Sequence, residues 1–222
     1  MELLDRVFVF MEITLINLLL SGDNAIVIAM AARRLPHGQR RRAVWWGAAA
    51  AVLLRCALTI GAVLILDIPF LQTAGALLLL LIAMKLMLER IDHDARAPAS
   101  SSLAGAVWTI VAADFVMSLD NVLAVAAIAD RDMALLIIGI AMSIPIIIWG
   151  SSFIMRMLDR LPGLAYAGGA LLAYTAGDMM MHDEGLALLL PEVSYDIRKA
   201  FPYLAAAALL AAAWWLKRRR EA

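Results

Sequence analysis

The chain has 222 residues, 64% of them hydrophobic, and its formal net charge is zero. That apolar share exceeds what a soluble domain carries, and zero net charge excludes the basic footprint of a nucleic-acid binder. A single cysteine, Cys56, inside an apolar run excludes an intrachain disulfide.

Apolar runs of membrane-crossing length recur along the chain, which predicts an all-α, polytopic membrane protein. Seven spans are expected, at about Val7–Ala32, Ala43–Leu66, Ile68–Leu88, Leu103–Ala129, Met133–Met155, Gly163–Met181 and Phe201–Leu216. The residues before the first run, Met1 to Asp5, lack the basic start of a cleaved signal peptide, so the first run is expected to be retained. The last span is short at 16 residues. It ends in Trp214-Trp215 and Lys217-Arg218-Arg219-Arg220, an interfacial aromatic pair followed by a basic anchor. Pro98 to Ser102 is the flexible-looking stretch, and 182–200 is the longest polar loop.

Lys and Arg set the orientation. With the N-terminus outside, the segments 33–42, 89–102, 156–162 and 217–222 face the cytoplasm and hold thirteen Lys and Arg; the outer segments hold four. Arg55 and Lys85 lie within spans.

Two polar clusters interrupt the apolar runs. Asn17-Leu18-Leu19-Leu20-Ser21-Gly22-Asp23-Asn24 in the first span reappears, 97 positions later, as Asp114-Phe115-Val116-Met117-Ser118-Leu119-Asp120-Asn121 in the fourth. Gly75 to Lys85 in the third span likewise matches Gly168 to Asp178 in the sixth. Each half contains three spans, an odd number, so the second half enters the membrane upside down. The expected architecture is one membrane domain: an inverted repeat at about 7–90, a linker at 91–102, a second repeat at about 103–181, and a C-terminal helix at about 201–216.

An Asp at the centre of a membrane helix costs about 2.5–3.5 kcal/mol on insertion scales. Two such residues in matched positions point to function, and the expected arrangement is two stretches that face each other around a cation. Asn17, Ser21 and Asn24 share one helix face, as do Asp114, Ser118 and Asn121, with Asp23 and Asp120 at the edge of each stripe. Gly22 is expected to let the first helix unwind locally. Carboxylate, amide and hydroxyl are hard oxygen donors that suit Mg, Ca or Mn, while no His and only the lone Cys56 lies at this depth for Zn or Cu. Met117 is the one soft candidate ligand, and it would favour Mn over Ca or Mg. Four other ionisable groups are candidates for the pathway or for charge pairing. Glu12 is three turns before Asp23, Arg55 is deep enough to pair with an Asp, Lys85 snorkels near the end of its span, and Asp178 sits near the outer end of the sixth span. Polar glue between helices is the competing explanation for Ser and Asn, though less so for paired Asp.

With these residues in view, the chain resembles the TerC integral membrane family, in its small, seven-helix YjbE-like branch. The resemblance rests on Leu20 to Ala29, on Asp114 to Ala126, and on the Gly75–Lys85 and Gly168–Asp178 stretches. It implies export of Mn²⁺ across the cytoplasmic membrane, within the LysE-type transporter group, with Asp23, Asn24, Asp120 and Asn121 at the matching site positions. Some relatives carry appended cytoplasmic domains, and none is expected here. Two other roles remain open: delivery of metal to proteins crossing the membrane, and export of a cationic small molecule. An enzyme is not expected. Ser-Gly-Asp-Asn and Ser-Leu-Asp-Asn do not match the Tyr-Asp and Gly-x-Gly-Asp contexts of intramembrane aspartyl proteases. The expected partners are the lipid bilayer and a divalent ion; oligomeric state and coupling ion are left open.

Reporter fusions at Ala222 and within the 182–200 loop should give opposite compartment signals. The same signal from both would sink the seven-span topology.

Overall fold

The computed structural model describes residues 11, 22–33, 35–61, 68–88, 102–129, 133–161, 163–189 and 194–221; the side chains of 120–129, 133–136, 139, 143, 184, 220 and 221 lie outside that description. Among the described residues the chain is all-helical. We number the helices α1 (Gly22–Ala32), α2 (His37–Ile60), α3 (Leu71–Leu88), α4 (Leu103–Ala129), α5 (Met133–Arg160), α6 (Leu164–His182), α7 (Glu184–Leu189) and α8 (Tyr195–Glu221). Four stretches are long and apolar enough to cross a membrane: His37–Ile60, Leu71–Leu88, Ile140–Arg160 and Tyr195–Arg219. Two shorter apolar helical stretches, Asp23–Ala32 and Leu103–Leu119, lie among the described residues. The protein is therefore a multi-pass membrane protein by length and composition. Most of the expected first span, 7–21, lies outside the described residues, as does most of the 91–102 linker.

Several boundaries differ from the sequence expectation; α2, expected at Ala43–Leu66, runs from His37 to Ile60, starting in the polar stretch before its apolar run. The helix expected to end at Met155 runs on to Arg160, because Arg156, Asp159 and Arg160 are tolerated at an exposed helix end. The final helix has 27 residues rather than 16 and begins at Tyr195. It opens at Ser194, whose hydroxyl accepts from the Ile197 N–H at 3.4 Å and whose carbonyl accepts from the Arg198 N–H at 3.1 Å. A serine in that position is a favoured helix start, and it carries the helix through Asp196, Arg198 and Lys199 before the apolar run begins. The polar loop at 182–200 also contains a helix of its own, α7.

The chain divides into two compact units, residues 1–67 with 101–156, and residues 68–100 with 157–222. Each draws helices from both sides of the 91–102 linker. The first unit holds α1, α2, α4 and most of α5. The second holds α3, α6, α7 and α8. The helices that end or carry the matched stretches lie in the same unit and touch: α1 packs on α4, and α3 packs on α6.

In the first unit α2 buries Val44, Ala48, Val52 (with Ala51), Arg55 and Thr59 (with Leu58), a three-to-four-residue rhythm. α4 answers with Ala106, Ile110, Ala113, Asp114, Met117 and Ser118. Gly47 makes the approach possible, since a Cβ there would come within 2.7 Å of Ile110 Cδ1. α1 packs against both α2 and α4. α5 closes onto α2 through Ile140 against Val52, with Cys56 and Ile144 alongside.

The second unit is packed by small residues. Gly169 on α6 receives the Met87 thioether of α3. Gly177 lets α8 in, because a Cβ there would meet Pro202 Cα at 2.8 Å. Tyr174 and Tyr203 meet edge to face with ring centroids 5.1 Å apart.

One carboxylate ties the helix ends of this unit together. Phe70, with φ of 63°, precedes α3 and has no side-chain oxygen to satisfy that helix's first N–H groups. Asp183 supplies it. Its Oδ2 accepts from the Thr73 N–H at 2.8 Å, from 110 residues away, while its Oδ1 accepts from the Leu186 N–H at 2.9 Å and so caps α7 as well. Gly185 must be glycine-sized here, as a Cβ would sit 2.7 Å from the Phe70 nitrogen. Burial pushes the Asp183 carboxyl up, but the backbone N–H groups of Thr73 and Leu186 outweigh it and hold the group below the usual carboxylate value.

Asp183→Ala should destabilise the protein by about 1–3 kcal/mol, from two lost caps. Because the folded-state value is depressed, the stabilisation from Asp183 is present above the unfolded value of about 4 and is lost as pH falls through the lower folded value. Thermal melts of wild type and Asp183→Asn from pH 7 down to pH 3 should therefore converge at the acid end. A gap that stayed constant with pH would show that the carboxylate charge is immaterial.

Candidate functional site

The polar centre of the first unit is built on α1, α2 and α4. Asp114 is the twelfth residue of the 27-residue α4, about 17 Å along a helix of about 40 Å. Arg55 lies in the last third of α2. Each is 4% exposed. The Arg55 Nη2 donates to Asp114 Oδ1 at 2.8 Å. The Arg55 Nε donates to Ser118 Oγ at 3.2 Å, and that hydroxyl in turn donates to Asp114 Oδ2 at 3.3 Å. Ser118, one turn after Asp114 and fully buried, thus closes a ring in which both carboxylate oxygens and two guanidinium nitrogens are engaged. Thr59, one turn after Arg55, donates its hydroxyl to the Arg55 carbonyl at 2.8 Å. The expectation that Arg55 pairs with an Asp is met, and the partner is Asp114.

Asp23 and Asn24 stand at the start of α1. Gly22, Asp23 and Asn24 are helical, and the residues before them, 12–21, where the unwinding expected at Gly22 would also show, lie outside the described residues. Asp23 Oδ1 accepts from the Asn24 N–H at 2.9 Å, and the carboxylate lies within electrostatic range of both Arg55 and Asp114. Among the described residues of the unit, Asn24 stands apart from the other fully buried polar side chains. Its side chain is 3% exposed, and neither the amide nitrogen nor the amide oxygen has a hydrogen-bond partner. A buried amide left without partners costs about 1–3 kcal/mol, so it demands an explanation. Its oxygen is a free hard donor beside a carboxylate.

The remaining sequence candidates divide as follows. Met117 is buried in α4 between Asp114 and Asp120 in sequence, 2% exposed. Asp120 and Asn121 lie on α4 with their side chains outside the description; Glu12, Asn17 and Ser21 lie outside the described residues altogether. Lys85 and Asp178 belong to the second unit. Lys85 is exposed in the last turn of α3, and Asp178 lies 3.6 Å from the ring of the exposed His182, an ion pair only when that ring is protonated. Among the described residues no three His, Cys, Asp or Glu side chains converge on a common point. What the described part of the site offers is one amide and one carboxylate on α1, facing an ion pair held between α2 and α4. The sequence missed the ring through Ser118, whose only sequence signal was the four-residue spacing from Asp114, and the double cap at Asp183, which had none.

These features define a polytopic helical membrane protein with a charged centre in one bundle. The chain belongs to the TerC family: the integral membrane protein TerC family matches it over residues 4–221. It is 46% identical over 177 residues to the uncharacterised membrane protein YjbE of Bacillus subtilis (strain 168), a match covering 80% of this chain and 81% of that protein. No solved structure matches the chain.

Asn24→Leu should raise thermal stability, by about 1–2 kcal/mol, since it removes an unsatisfied amide at nearly constant volume. Ser118→Ala should lower it by about 1–3 kcal/mol, since it removes a partner of both charged groups. Melting of the purified protein in detergent checks both; a destabilised Asn24→Leu would mean that the amide has a structural partner.

Proposed function

We propose that this protein exports a divalent metal cation, Mn²⁺, from the cytoplasm across the cell membrane. The observation that carries the reading is Asn24: a buried amide with no protein partner, next to Asp23, in a bundle that otherwise satisfies its described polar side chains. A hard cation is the partner that such an amide oxygen and carboxylate accept together. Family membership supports a membrane transport role in general. The choice of metal rests on the donors themselves and on the resemblance already described. No imidazole or thiolate pair is offered, which disfavours Zn and Cu.

In this reading Asp23 and Asn24 on α1 and Asp120 and Asn121 on α4 contribute the ligands, with Ser21, Asn17 and Met117 alongside. Asp114 and Ser118, also candidate ligands by sequence, instead support the site through Arg55. α1 and α4 touch, as a site shared between them requires. Transport needs the site to face one side and then the other, which matched segments from two halves can provide by rocking. Proton exchange is a natural coupling for a site made of carboxylates, because each can take a proton when the metal leaves.

The test is metal content. Cells lacking the protein should accumulate Mn and become sensitive to it, with Zn and Cu unchanged. Asp23→Asn or Asp120→Asn, expressed at matched membrane levels, should each abolish rescue, and the double variant should be little worse than either, as for groups acting as one unit. Unchanged Mn content under Mn stress would overturn the reading. Near-normal rescue by Asp23→Asn would confine the site to α4.

A further inference from the structure

We propose that the end of α8 is a binding site for the headgroup phosphate of an anionic phospholipid, formed by Arg218 and Arg219 stacked on Trp214 and Trp215. The inference lies outside the metal-export reading and does not rest on it.

α8 packs into its unit along one stripe, Pro202, Leu209 and Ala213, all buried. Counting about 100° per residue, Trp214 and Arg218 lie roughly 100° and 140° around the helix from Ala213, and Trp215 and Arg219 roughly 200° and 240°. All four therefore share the face turned away from that stripe, and all four are exposed. Exposed tryptophan by itself is common at a membrane interface. The placing of the cations is what makes a site. The Arg218 guanidinium lies 4.1 Å from the centroid of the Trp214 ring, and that of Arg219 lies 3.8 Å from the centroid of Trp215. Each arginine follows its indole by one turn, about 6 Å along the axis, toward the polar end of the helix. With the indoles at the boundary between acyl chains and headgroups, the guanidiniums reach the level of the phosphates. Stacking restrains a long side chain before any ligand arrives, and it covers only a face of the guanidinium, so the N–H edge stays open for bidentate donation to phosphate oxygens. Among the described residues each guanidinium has its indole as partner and no carboxylate. Two such edges side by side, flanked in sequence by Lys217 and Arg220, repel the ammonium of a zwitterionic headgroup and attract a headgroup of net negative charge. The start of α2 carries the same parts in reverse chain order. Arg41 and Arg42 are exposed one turn before the exposed Trp45 and Trp46, outside the buried stripe of Ala43, Val44, Gly47 and Ala48. In both helices the cations stand one turn to the polar side of the tryptophans. A basic run that is merely solvated needs no such register.

The experiment uses the full-length protein carrying Trp45→Phe, Trp46→Phe, Trp108→Phe and Trp149→Phe, all at exposed positions, so that Trp214 and Trp215 are its remaining tryptophans. It is reconstituted into phosphatidylcholine vesicles in which roughly one lipid in five is phosphatidylglycerol, with bromine quenchers on the acyl chains of one lipid or the other. Bromine quenches tryptophan only at close range, so the two series compare the lipids that touch this end of α8. In the parent protein the quenching should report a local phosphatidylglycerol fraction about threefold above that of the bulk. Arg218→Gln combined with Arg219→Gln should return the local fraction to the bulk value. Arg218→Lys combined with Arg219→Lys keeps both charges but loses the planar stack and the bidentate edge, and should lose about half of the enrichment or more. No enrichment in the parent protein overturns the proposal. Unchanged enrichment in the glutamine pair overturns it too, assigning the lipid to the rest of the basic run. Full enrichment in the lysine pair likewise overturns it, leaving charge alone without a stacked site. Should the glutamine pair fail to insert, the lysine pair decides by the same criterion.

Discussion

Charge cannot be stored alone among membrane helices, and the first unit of this protein is arranged around that constraint. Arg55 and Asp114 are each almost without contact with solvent, and either one left unpaired would cost several kcal/mol. Their 2.8 Å contact spans α2 and α4 and depends on how the two helices are spaced and rotated. Gly47 opposite Ile110 is what lets the two backbones come near enough for that contact to form. Ser118 then engages the second carboxylate oxygen and the Arg55 Nε. With α2 and α4 locked, α1 has a fixed surface to lie on, and it brings Asp23 and Asn24 to the charged centre.

The second unit is built on the opposite principle. Its helices are held by close approach of small residues, with Gly169 taking the Met87 side chain and Gly177 taking Pro202. The buried residues that α3 and α6 present to one another are apolar. Its one decisive polar device sits outside the apolar stretches, where Asp183 caps two helices together. Such packing suits a scaffold. The buried polar and charged side chains that meet through hydrogen bonds between helices are in the first unit.

Family membership and chemistry contribute differently here. The family match spans nearly the whole chain and places it among integral membrane proteins, while the similar Bacillus subtilis protein is itself described as uncharacterised. Function is therefore argued from the donors in this chain. In the proposed reading, oxygen ligands without imidazole or paired thiolate favour hard cations.

Much was legible in the sequence. Long apolar runs dictate helices, because lipid leaves the backbone no other way to satisfy itself, and α3, α4 and α6 lie close to where composition put them. The matched Asp, Ser and Asn marked the polar centre, since such residues are too costly to keep in a membrane without cause. Helix ends were less legible. α8 begins six residues earlier than its apolar run because Ser194 can cap it, and α7 hides in a polar loop because a single carboxylate nucleates it. Partner choice was not legible at all. The sequence required Arg55 to find a carboxylate, and Asp23, Asp114 and Asp120 were equally eligible. The fold pairs it with Asp114, 59 residues away, because the buried stripes of α2 and α4 bring those two side chains to the same level. That is a matter of rotation and register between helices, set by side-chain volumes at positions such as Gly47 and Ile110, and no linear pattern encodes it. The sequence by itself determined what chemistry the membrane interior must hold; only the tertiary structure decided which charge answers which, and left Asn24 without a partner.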